Sequence, residues 1–268
     1  MSDKDISIIV TGRNDNYDGN FDERLGIALF RNIQNLPEAE FIFVEWNPIM
    51  DCELSCHKLQ KLFGNRIKYY VVHPRFHSTY CTIDGFLEYP PKNVGIRRAT
   101  REFVICTNSD VIFGPVLVSS LKKELSRRVI YRATRVDIDP NYLQVEFPLN
   151  PNKILGESKT PTDAAGDFLL VDKETWIRFT GYCEEFPEQR LHKDAFMVYL
   201  LMQARLPFRY IGNMTHWRHL SSWSNGYNRG KVGDTRWDFT RCGYIKNKET
   251  WGLYGVEEIE KDGVTWLI

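Results

Sequence analysis

The triplet Asn108-Ser109-Asp110 follows directly on an apolar run at 103–107. A short apolar run that ends in polar residues predicts a buried strand. In an open α/β sheet, ligands bind at the carboxyl ends of the central strands, and carboxylate oxygens there suit a hard divalent cation. If the ligand is a nucleotide diphosphate with its metal, Asp110 would hold the metal, and Asn108 would use its side-chain carbonyl or contact a ribose. The alternatives are a capping or buried hydrogen-bonding role for Asp110 and a turn role for Asn108.

Strands and helices alternate around this triplet in the first half of the chain. The patterns predict strands at 6–10, 41–46, 67–72, 103–107 and 129–133, and helices at 22–36, at 52–63, from Asn93 and from Pro115. The segment 73–92, which ends in Pro-Pro, is predicted to be rich in turns. This alternation predicts an α/β fold with an open, mostly parallel central sheet and helices on both faces.

The second half of the chain has a different character. Residues 137–165 are rich in Pro, Asn and Asp and predict an extended loop. A strand at 168–171, helices at 173–179 and 193–205, and a strand at 208–211 are predicted after it, whereas the chain beyond Gly212 shows little periodicity. We predict one domain over 1–268, in which residues 1–113 form a nucleotide-binding half and residues 114–268 complete the pocket.

Composition limits the classes of function. The 268 residues include 43% apolar residues, enough for a sizeable core, and 35 Lys+Arg balance 35 Asp+Glu. Because the chain has no net positive charge to attract polyanions, a nucleic-acid partner is disfavoured. The sequence has neither a signal peptide nor an apolar run of the roughly 18–20 residues that span a bilayer. The six cysteines form no Cys-x-x-Cys pair, which indicates reduced thiols. We therefore expect a cytoplasmic protein without a transmembrane segment.

Four segments, taken in order, resemble a GT-A glycosyltransferase, closest in layout to glycosyltransferase family 2. They are the opening strand and donor loop from Ser7 to Asp15, the strand from Phe41 to Trp46, the helix and metal motif from Asn93 to Arg97 and Asn108 to Asp110, and the acceptor segment from Ala165 to Asp194. The resemblance covers residues 5–220 and rests on order and spacing. It implies a GT-A-like form of the mixed sheet and transfer of a sugar from a nucleotide-diphosphate sugar.

Two departures from the family pattern reduce the number of acidic residues. The first Asp of the D-x-D metal motif is Asn108 here, so Asp110 is the one full carboxylate of the motif. The acidic pair that precedes the last helix is Lys193-Asp194, which leaves one carboxylate. Because a reduced motif also suits a protein that binds without catalysis, a carbohydrate- or nucleotide-binding protein on a degenerate glycosyltransferase scaffold is the alternative function.

The resemblance implies a set of residues that contact the donor. These are Thr11, Arg13 and Asp15 after the first strand, Glu45 at the end of the second, Asn93 and Arg97 on the following helix, and Asn108 and Ser109 beside the metal. Several of them have a structural alternative that the sequence leaves open. Asp15 also suits an Asx turn, Asn93 suits a helix N-cap, and Arg97 also suits pairing with an acid.

A late histidine often completes the metal site in the resembling folds. His216 is the first candidate here and His219 the second, and a packing or surface histidine is the alternative. The resemblance therefore implies Mn²⁺ or Mg²⁺, held by Asp110 and His216. The cation would bridge the phosphates and neutralise the charge that develops on the leaving nucleotide.

Transfer with inversion requires a carboxylate base for the acceptor hydroxyl. Asp194 is the candidate, since it shares a helix stripe with Val198 and Leu201. An N-cap or first-turn acid favoured by the helix dipole is the alternative role for Asp194. The weaker candidates for the base are Asp167, Glu184 and Glu185. Asp167 is a candidate contact for a carbohydrate acceptor, and Trp223 a candidate for stacking on a sugar. UDP is the expected donor nucleotide from the resemblance. A nucleotidyltransferase is disfavoured, because no Gly-rich loop follows the first strand.

Overall fold

An open mixed β-sheet forms the centre of the protein. The computed structural model describes residues 3–81, 84–158, 160–185, 193–218, 243 and 245–268. Its strands there are β1 Ile6–Gly12, β2 Glu40–Trp46, β3 Ile67–Val72, β4 Phe103–Thr107, β5 Val111–Phe113, β6 Ile130–Ile138, β7 Ile154–Glu157, β8 Phe168–Asp172, β9 Phe208–Trp217, β10 Glu258–Lys261 and β11 Val264–Leu267. Its α-helices are α1 Phe21–Asn35, α2 Ser55–Phe63, α3 Pro74–Tyr80, α4 Tyr89–Arg98, α5 Pro115–Leu121, α6 Lys173–Arg178 and α7 Lys193–Gln203.

The strand order brings three loops to one edge of the sheet. The order is β10-β11-β3-β2-β1-β4-β8-β6-β9-β5, with β7 paired to β6. Strands β11, β3, β2, β1 and β4 run parallel to one another, and β8 runs antiparallel to β4. The carboxyl ends of β1, β2 and β4 therefore meet at the same edge, where an open α/β sheet binds its ligands.

Alternation along the central strands builds a core on each face of the sheet. Ile8 belongs to the core that contains side chains of α1 and α2, whereas Ile9 belongs to the core that contains side chains of α4, α6 and α7. Successive strand residues point to opposite faces, so apolar residues at both odd and even positions bury both faces of the sheet. The predicted α/β class, with a mostly parallel mixed sheet flanked by helices, is confirmed.

Helix α4 lies close against β1 because Gly95 has no side chain. A Cβ at Gly95 would lie 2.5 Å from Cγ2 of Ile9, which is fully buried. We expect Gly95→Ala to lower the free energy of unfolding by about 1–3 kcal/mol, the usual effect of overpacking a core. Gly26→Ala is the matched control, since Gly26 also lies within a helix but has open space around it. That change should raise stability by up to about 1 kcal/mol.

Urea unfolding of the two alanine variants measures both effects. Equal shifts at the two positions would mean that helix α4 can move away from β1 without loss. Opposite signs are expected, because only the change at Gly95 meets a buried neighbour.

Several predicted element boundaries are wrong. The segment 73–92 was predicted to be turn-rich, but it contains helix α3 and the first turn of α4. Pro90 and Pro91 lie in that first turn, where the absent N–H groups would have no helical partner in any case. Helix α4 therefore begins at Tyr89 rather than at Asn93, and Asn93 is not its N-cap.

The second half holds more strand than the sequence predicts. The loop predicted for 137–165 begins with the last residues of β6 and includes β7. Strand β9 continues six residues beyond the predicted end at residue 211, across a register shift between its pairs with Arg132 and Thr134. The hairpin of β10 and β11 was not predicted, and β11 extends the parallel sheet next to β3.

Within the described ranges, no helix combines the length and apolar character needed to cross a membrane.

Candidate active site

Asp110 and His216 lie together at the carboxyl-end edge of the sheet. Asp110 occupies the turn between β4 and β5, and His216 lies near the end of β9, not in a loop as predicted. Strand register explains their proximity, since His216 is paired with Val111 of β5 on one side and with Asp137 of β6 on the other. Both side chains are buried, and Nε2 of His216 is 3.8 Å from Oδ2 of Asp110.

Asp137 orients the imidazole of His216. Nδ1 of His216 is 2.9 Å from Oδ1 of Asp137. A neutral His216 that donates its Nδ1–H to Asp137 presents the lone pair of Nε2 toward Asp110, which is the tautomer that a metal ligand requires. Burial lowers the pKa of His216, but the nearby Asp110 and Asp137 carboxylates outweigh it, so the pKa lies above the ordinary 6.5.

The donor atoms fit one divalent cation. Two ligands that each lie about 2.1 Å from a cation are separated by about 3 Å when cis and about 4.2 Å when trans. The 3.8 Å between Oδ2 of Asp110 and Nε2 of His216 is short enough for both atoms to bind the same cation. No group of three or more His, Cys, Asp or Glu side chains in the described part of the chain is arranged to hold a metal. The remaining ligands would thus be phosphate oxygens and water, as is common for cations that accompany nucleotides.

A chain of charged hydrogen bonds leads from His216 into the sheet. The Arg135 guanidinium donates to Asp137 over 3.2 Å and to Asp167 over 2.8 Å. Asp167 in turn accepts a hydrogen bond of 2.6 Å from Nδ2 of Asn108. Asp167, the predicted acceptor contact, is therefore linked to the metal side of the site through Arg135.

Lys92 of helix α4 continues this network to the far side of the site. Its buried ammonium donates to Oδ1 of Asn108 at 2.7 Å, to Oε1 of Glu88 at 2.5 Å and to the carbonyl of Gly166 at 2.8 Å. All three Lys92 donors therefore have acceptors, as a buried ammonium requires. The side-chain carbonyl of Asn108 was predicted to contact a metal or a ribose. In this structure it accepts a hydrogen bond from the Lys92 ammonium.

These contacts favour Asn over Asp at position 108. A carboxylate at 108 would place a second negative oxygen at 2.6 Å from Oδ1 of Asp167, where the Asn108 amide now donates. We expect Asn108→Asp to lower the free energy of unfolding by about 1–3 kcal/mol and not to strengthen Mn²⁺ binding. Denaturant unfolding and Mn²⁺ titration measure the two effects. Asn65→Asp, at an exposed position, is the control; tighter Mn²⁺ binding by Asn108→Asp would contradict the prediction.

Asp194, the predicted base, lies in the first turn of α7 and faces Gly166. Its Oδ2 accepts a hydrogen bond of 2.6 Å from the Gly166 amide, and the Tyr89 hydroxyl also bonds to it. A Cβ at Gly166 would lie 2.5 Å from Oε1 of Glu88 and 3.4 Å from Oδ2 of Asp194, so both carboxylates approach the same glycine. Partial burial and the charge of Asp194 raise the pKa of Glu88 above 4.5, although Lys92 opposes the shift.

The loops after β1 and β2 form a second polar group at the same edge. The Arg13 guanidinium donates to Asp84 at 2.9 Å and to the carbonyl of Asn47 at 2.7 Å, and it lies 3.7 Å from Asp15. The side chain of Asn47 also donates to Asp84. Burial raises the pKa of Asp15, with Arg13 opposing the shift. Two of the predicted donor residues, Arg13 and Asp15, are thus neighbours, and the backbone fixes them beside β2.

Three other predicted donor residues have contacts within the protein. Both oxygens of Glu45 accept amide hydrogen bonds from the first turn of α2, at 2.9 and 2.8 Å. The Asn93 amide bonds to the backbone of Tyr182 in both directions. Arg97 donates to backbone carbonyls, including that of Trp251, and stacks on the Trp251 ring at 4.0 Å. No carboxylate among the described residues forms an ion pair with Arg97, and its contact with phosphate stays a prediction.

The remaining predicted residues divide into two groups. Thr11 and Ser109 are buried at the ends of β1 and β4, and their donor role stays a prediction. Trp223 and the second histidine candidate, His219, lie outside the residues that the structure describes.

Sequence reasoning missed six charged residues of the site. They are Arg24 of α1, Asp84 beside Arg13, Glu88 and Lys92 of the α4 region, and Arg135 and Asp137 of β6. Only Arg135 and Asp137 carried a signal, because an Arg-x-Asp alternation in a strand puts both side chains on one face. That signal was lost when the region from residue 137 was assigned to a loop.

Comparison with known proteins gives a distant structural likeness. The sequence matches no protein-family model and no curated protein. Among solved structures, the chain resembles the mannosyltransferase PcManGT from Pyrobaculum calidifontis in complex with GDP-Man and Mn²⁺, with 12% sequence identity and a TM-score of 0.51. The likeness covers 84% of this chain and 59% of the mannosyltransferase chain, so this chain spans about three fifths of that structure. At this level of identity, what is shared is the glycosyltransferase-like α/β fold.

Proposed function

We propose that this protein is a metal-dependent glycosyltransferase that moves a sugar from a nucleotide-diphosphate sugar to a hydroxyl of a carbohydrate acceptor. The observation that carries the proposal is the pairing of Asp110 with an Asp137-oriented His216 at the ligand-binding edge of the sheet. The mannosyltransferase that shares the fold was solved with a nucleotide sugar and Mn²⁺. Membership of glycosyltransferase family 2 is a hypothesis that rests on the order of the sequence motifs.

In the proposed reaction, a bound Mn²⁺ supplies positive charge where the leaving diphosphate becomes more negative. Asp110 and His216 would hold that cation, and Asp137 would keep His216 in the ligating tautomer. Arg13 and Asp15, in the loop that follows β1, would contact the nucleoside portion of the donor. Because the side chains of Arg13, Asp137 and His216 are held by hydrogen bonds within the protein, the donor would be oriented with little reorganisation of the protein.

Asp194 would accept the proton of the attacking hydroxyl. Its hydrogen bond from the Gly166 amide fixes the carboxylate in one orientation. Gly166 immediately precedes Asp167, so the loop that orients the base also carries the proposed contact to the acceptor. Attack by an activated hydroxyl on the face opposite the leaving diphosphate would invert the anomeric configuration.

A panel of nucleotide sugars, each incubated with Mn²⁺ or Mg²⁺, tests which donor nucleotide and which metal the protein uses. The resemblance favours UDP, and the structural neighbour contains GDP-Man, so UDP-, GDP- and other nucleotide sugars belong in it. Incubation with Mn²⁺ should release the nucleoside diphosphate slowly by donor hydrolysis, and chelation should stop this release. Mn²⁺ should support more hydrolysis than Mg²⁺, because an imidazole ligand favours transition metals over Mg²⁺. A panel without hydrolysis and without metal-dependent nucleotide binding would refute the proposal.

A non-catalytic carbohydrate- or nucleotide-binding protein is the second candidate function. It is favoured by one observation, the commitment of Asn108 to Lys92 and Asp167 in place of an acidic metal ligand. This candidate predicts metal-dependent nucleotide binding without hydrolysis and without transfer to any acceptor. Product analysis after long incubation with donor, Mn²⁺ and an oligosaccharide mixture separates the two functions.

A further inference from the structure

Helix α1 places a buried cation beside the candidate metal ligands. Arg24 is only 1% exposed, and its Nε lies 3.7 Å from Oδ2 of Asp110. One guanidinium nitrogen, Nη1, donates to the Asn20 side chain. The other two, Nε and Nη2, make no hydrogen bond of good geometry among the described residues, although the guanidinium also interacts with the Tyr17 hydroxyl. A buried guanidinium with so few well-formed hydrogen bonds requires a reason, since burial of a poorly paired polar group is unfavourable.

The charge of Arg24 is permanent. A guanidinium does not lose its proton in proteins, so Arg24 cannot become neutral to relieve its burial. The Tyr17 ring, 5.4 Å from the guanidinium carbon, provides a favourable face on one side. The carboxylate that pairs with Arg24 is that of Asp110, and the separation of 3.7 Å between Nε and Oδ2 is too long for a direct hydrogen bond.

Arg24 and His216 approach the same oxygen of Asp110. Their nitrogens lie 3.7 and 3.8 Å from Oδ2, so both lie within a few ångströms of any metal that this oxygen would bind. A divalent cation there would lie within a few ångströms of a fixed positive charge. The repulsion would weaken metal binding to the free protein. A diphosphate, which brings two negative charges, would remove this repulsion and would also meet the positive charge of Arg24.

We propose that Arg24 makes the binding of metal and nucleotide diphosphate interdependent. In the metal-free protein, Arg24 compensates the negative charge of Asp110 and disfavours metal binding. Once the donor is bound, Arg24 adds positive charge to the diphosphate site. Arg24 is a positioning residue, since it acts through Asp110 and the field of the site. This inference rests on the proposed function, because it assumes that the ligand is a nucleotide diphosphate with a metal.

Mn²⁺ binding to the nucleotide-free protein, followed by electron paramagnetic resonance, tests the proposal. Arg24→Met removes the charge and keeps an unbranched side chain, whereas Arg24→Lys keeps the charge. We expect Arg24→Met to bind Mn²⁺ roughly tenfold more tightly than the unchanged protein, and Arg24→Lys to bind it as the unchanged protein does. For nucleoside diphosphate without metal, Arg24→Met should bind several-fold more weakly. Unchanged or weaker Mn²⁺ binding by a folded Arg24→Met variant would overturn the proposal.

If Arg24→Met does not fold, the coupling between nucleotide and Mn²⁺ binding in the unchanged protein tests the proposal. The affinity for nucleoside diphosphate should rise at least about tenfold with saturating Mn²⁺, and Mn²⁺ binding should rise by the same factor with nucleotide, since such coupling is reciprocal. Mn²⁺ affinity that is independent of nucleotide would overturn the inference about Arg24. Absence of nucleotide binding under every condition would instead refute the proposed function.

Discussion

Replacement of Asp194 by Asn is expected to reduce the rate of sugar transfer by about 10²–10⁴-fold, the usual contribution of a positioned general base. The Asn side-chain oxygen can still accept the hydrogen bond from the Gly166 amide that Oδ2 of Asp194 accepts now. The loop and helix α7 should therefore keep their positions, and only the proton acceptor is lost. Initial rates of transfer, together with donor affinity from calorimetry, measure the effect; donor affinity should change less than about threefold.

Glu174→Gln is the matched control for this change. Glu174 is an exposed acid in the first turn of helix α6, as Asp194 is an acid in the first turn of α7. Both changes remove a favourable interaction with a helix dipole, but only the change at Asp194 alters the site. Retained turnover in Asp194→Asn would exclude this residue as the base, and the partly buried Glu88 beside it would then be the next carboxylate to change.

Replacement of Asp110 by Asn should abolish the metal-dependent part of donor binding. The unchanged protein has one carboxylate oxygen and one imidazole nitrogen, 3.8 Å apart, as the proposed metal ligands. The variant lacks the negative charge of that pair, and it leaves the Arg24 cation uncompensated beside the metal. We expect the gain in nucleotide affinity on addition of Mn²⁺, about 5- to 150-fold for typical coupled ligands, to disappear.

Calorimetric titration of nucleoside diphosphate with and without Mn²⁺ gives this gain directly. Asp262→Asn is the control, since Asp262 lies exposed in the turn between β10 and β11. Affinity without metal reports on the remaining contacts of the nucleotide and should change less. If Mn²⁺ still strengthens nucleotide binding in Asp110→Asn, the metal is held elsewhere in the chain.

The fold class was predictable because the central strands are apolar at both odd and even positions. Residues 6–10 and 103–107 consist almost entirely of apolar residues, and burial on both faces is what a central parallel strand requires. Peripheral strands were not predictable in the same way. The strand β10 is fully exposed and rich in charge, so its sequence carries no strand signal and its pairing with β11 depends on tertiary contacts.

The site was predictable only where a motif marked it. The triplet that contains Asp110 stands out because a polar sequence ends an apolar strand. By contrast, the position of His216 depends on the register of β9 against β5 and β6. Lys92 and Glu88 precede the motif on a helix whose start is hidden by two prolines. No local pattern shows that they reach Asn108 and Gly166, because these contacts are formed by chain segments about 16 and 74 residues away.

The pairing of β3 with β11 has a consequence for synthesis of the chain. Tyr70 of β3 is paired with Thr265 of β11, so one edge of β3 obtains its hydrogen-bond partners very late. At about 5–20 residues per second, a nascent chain would wait roughly 10–40 s between making the two strands. During this interval β3 is an unpaired, largely apolar edge, which is a template for pairing with other chains. We therefore expect the yield of folded protein to fall at high expression rates and to recover when a chaperone that shields extended segments is supplied.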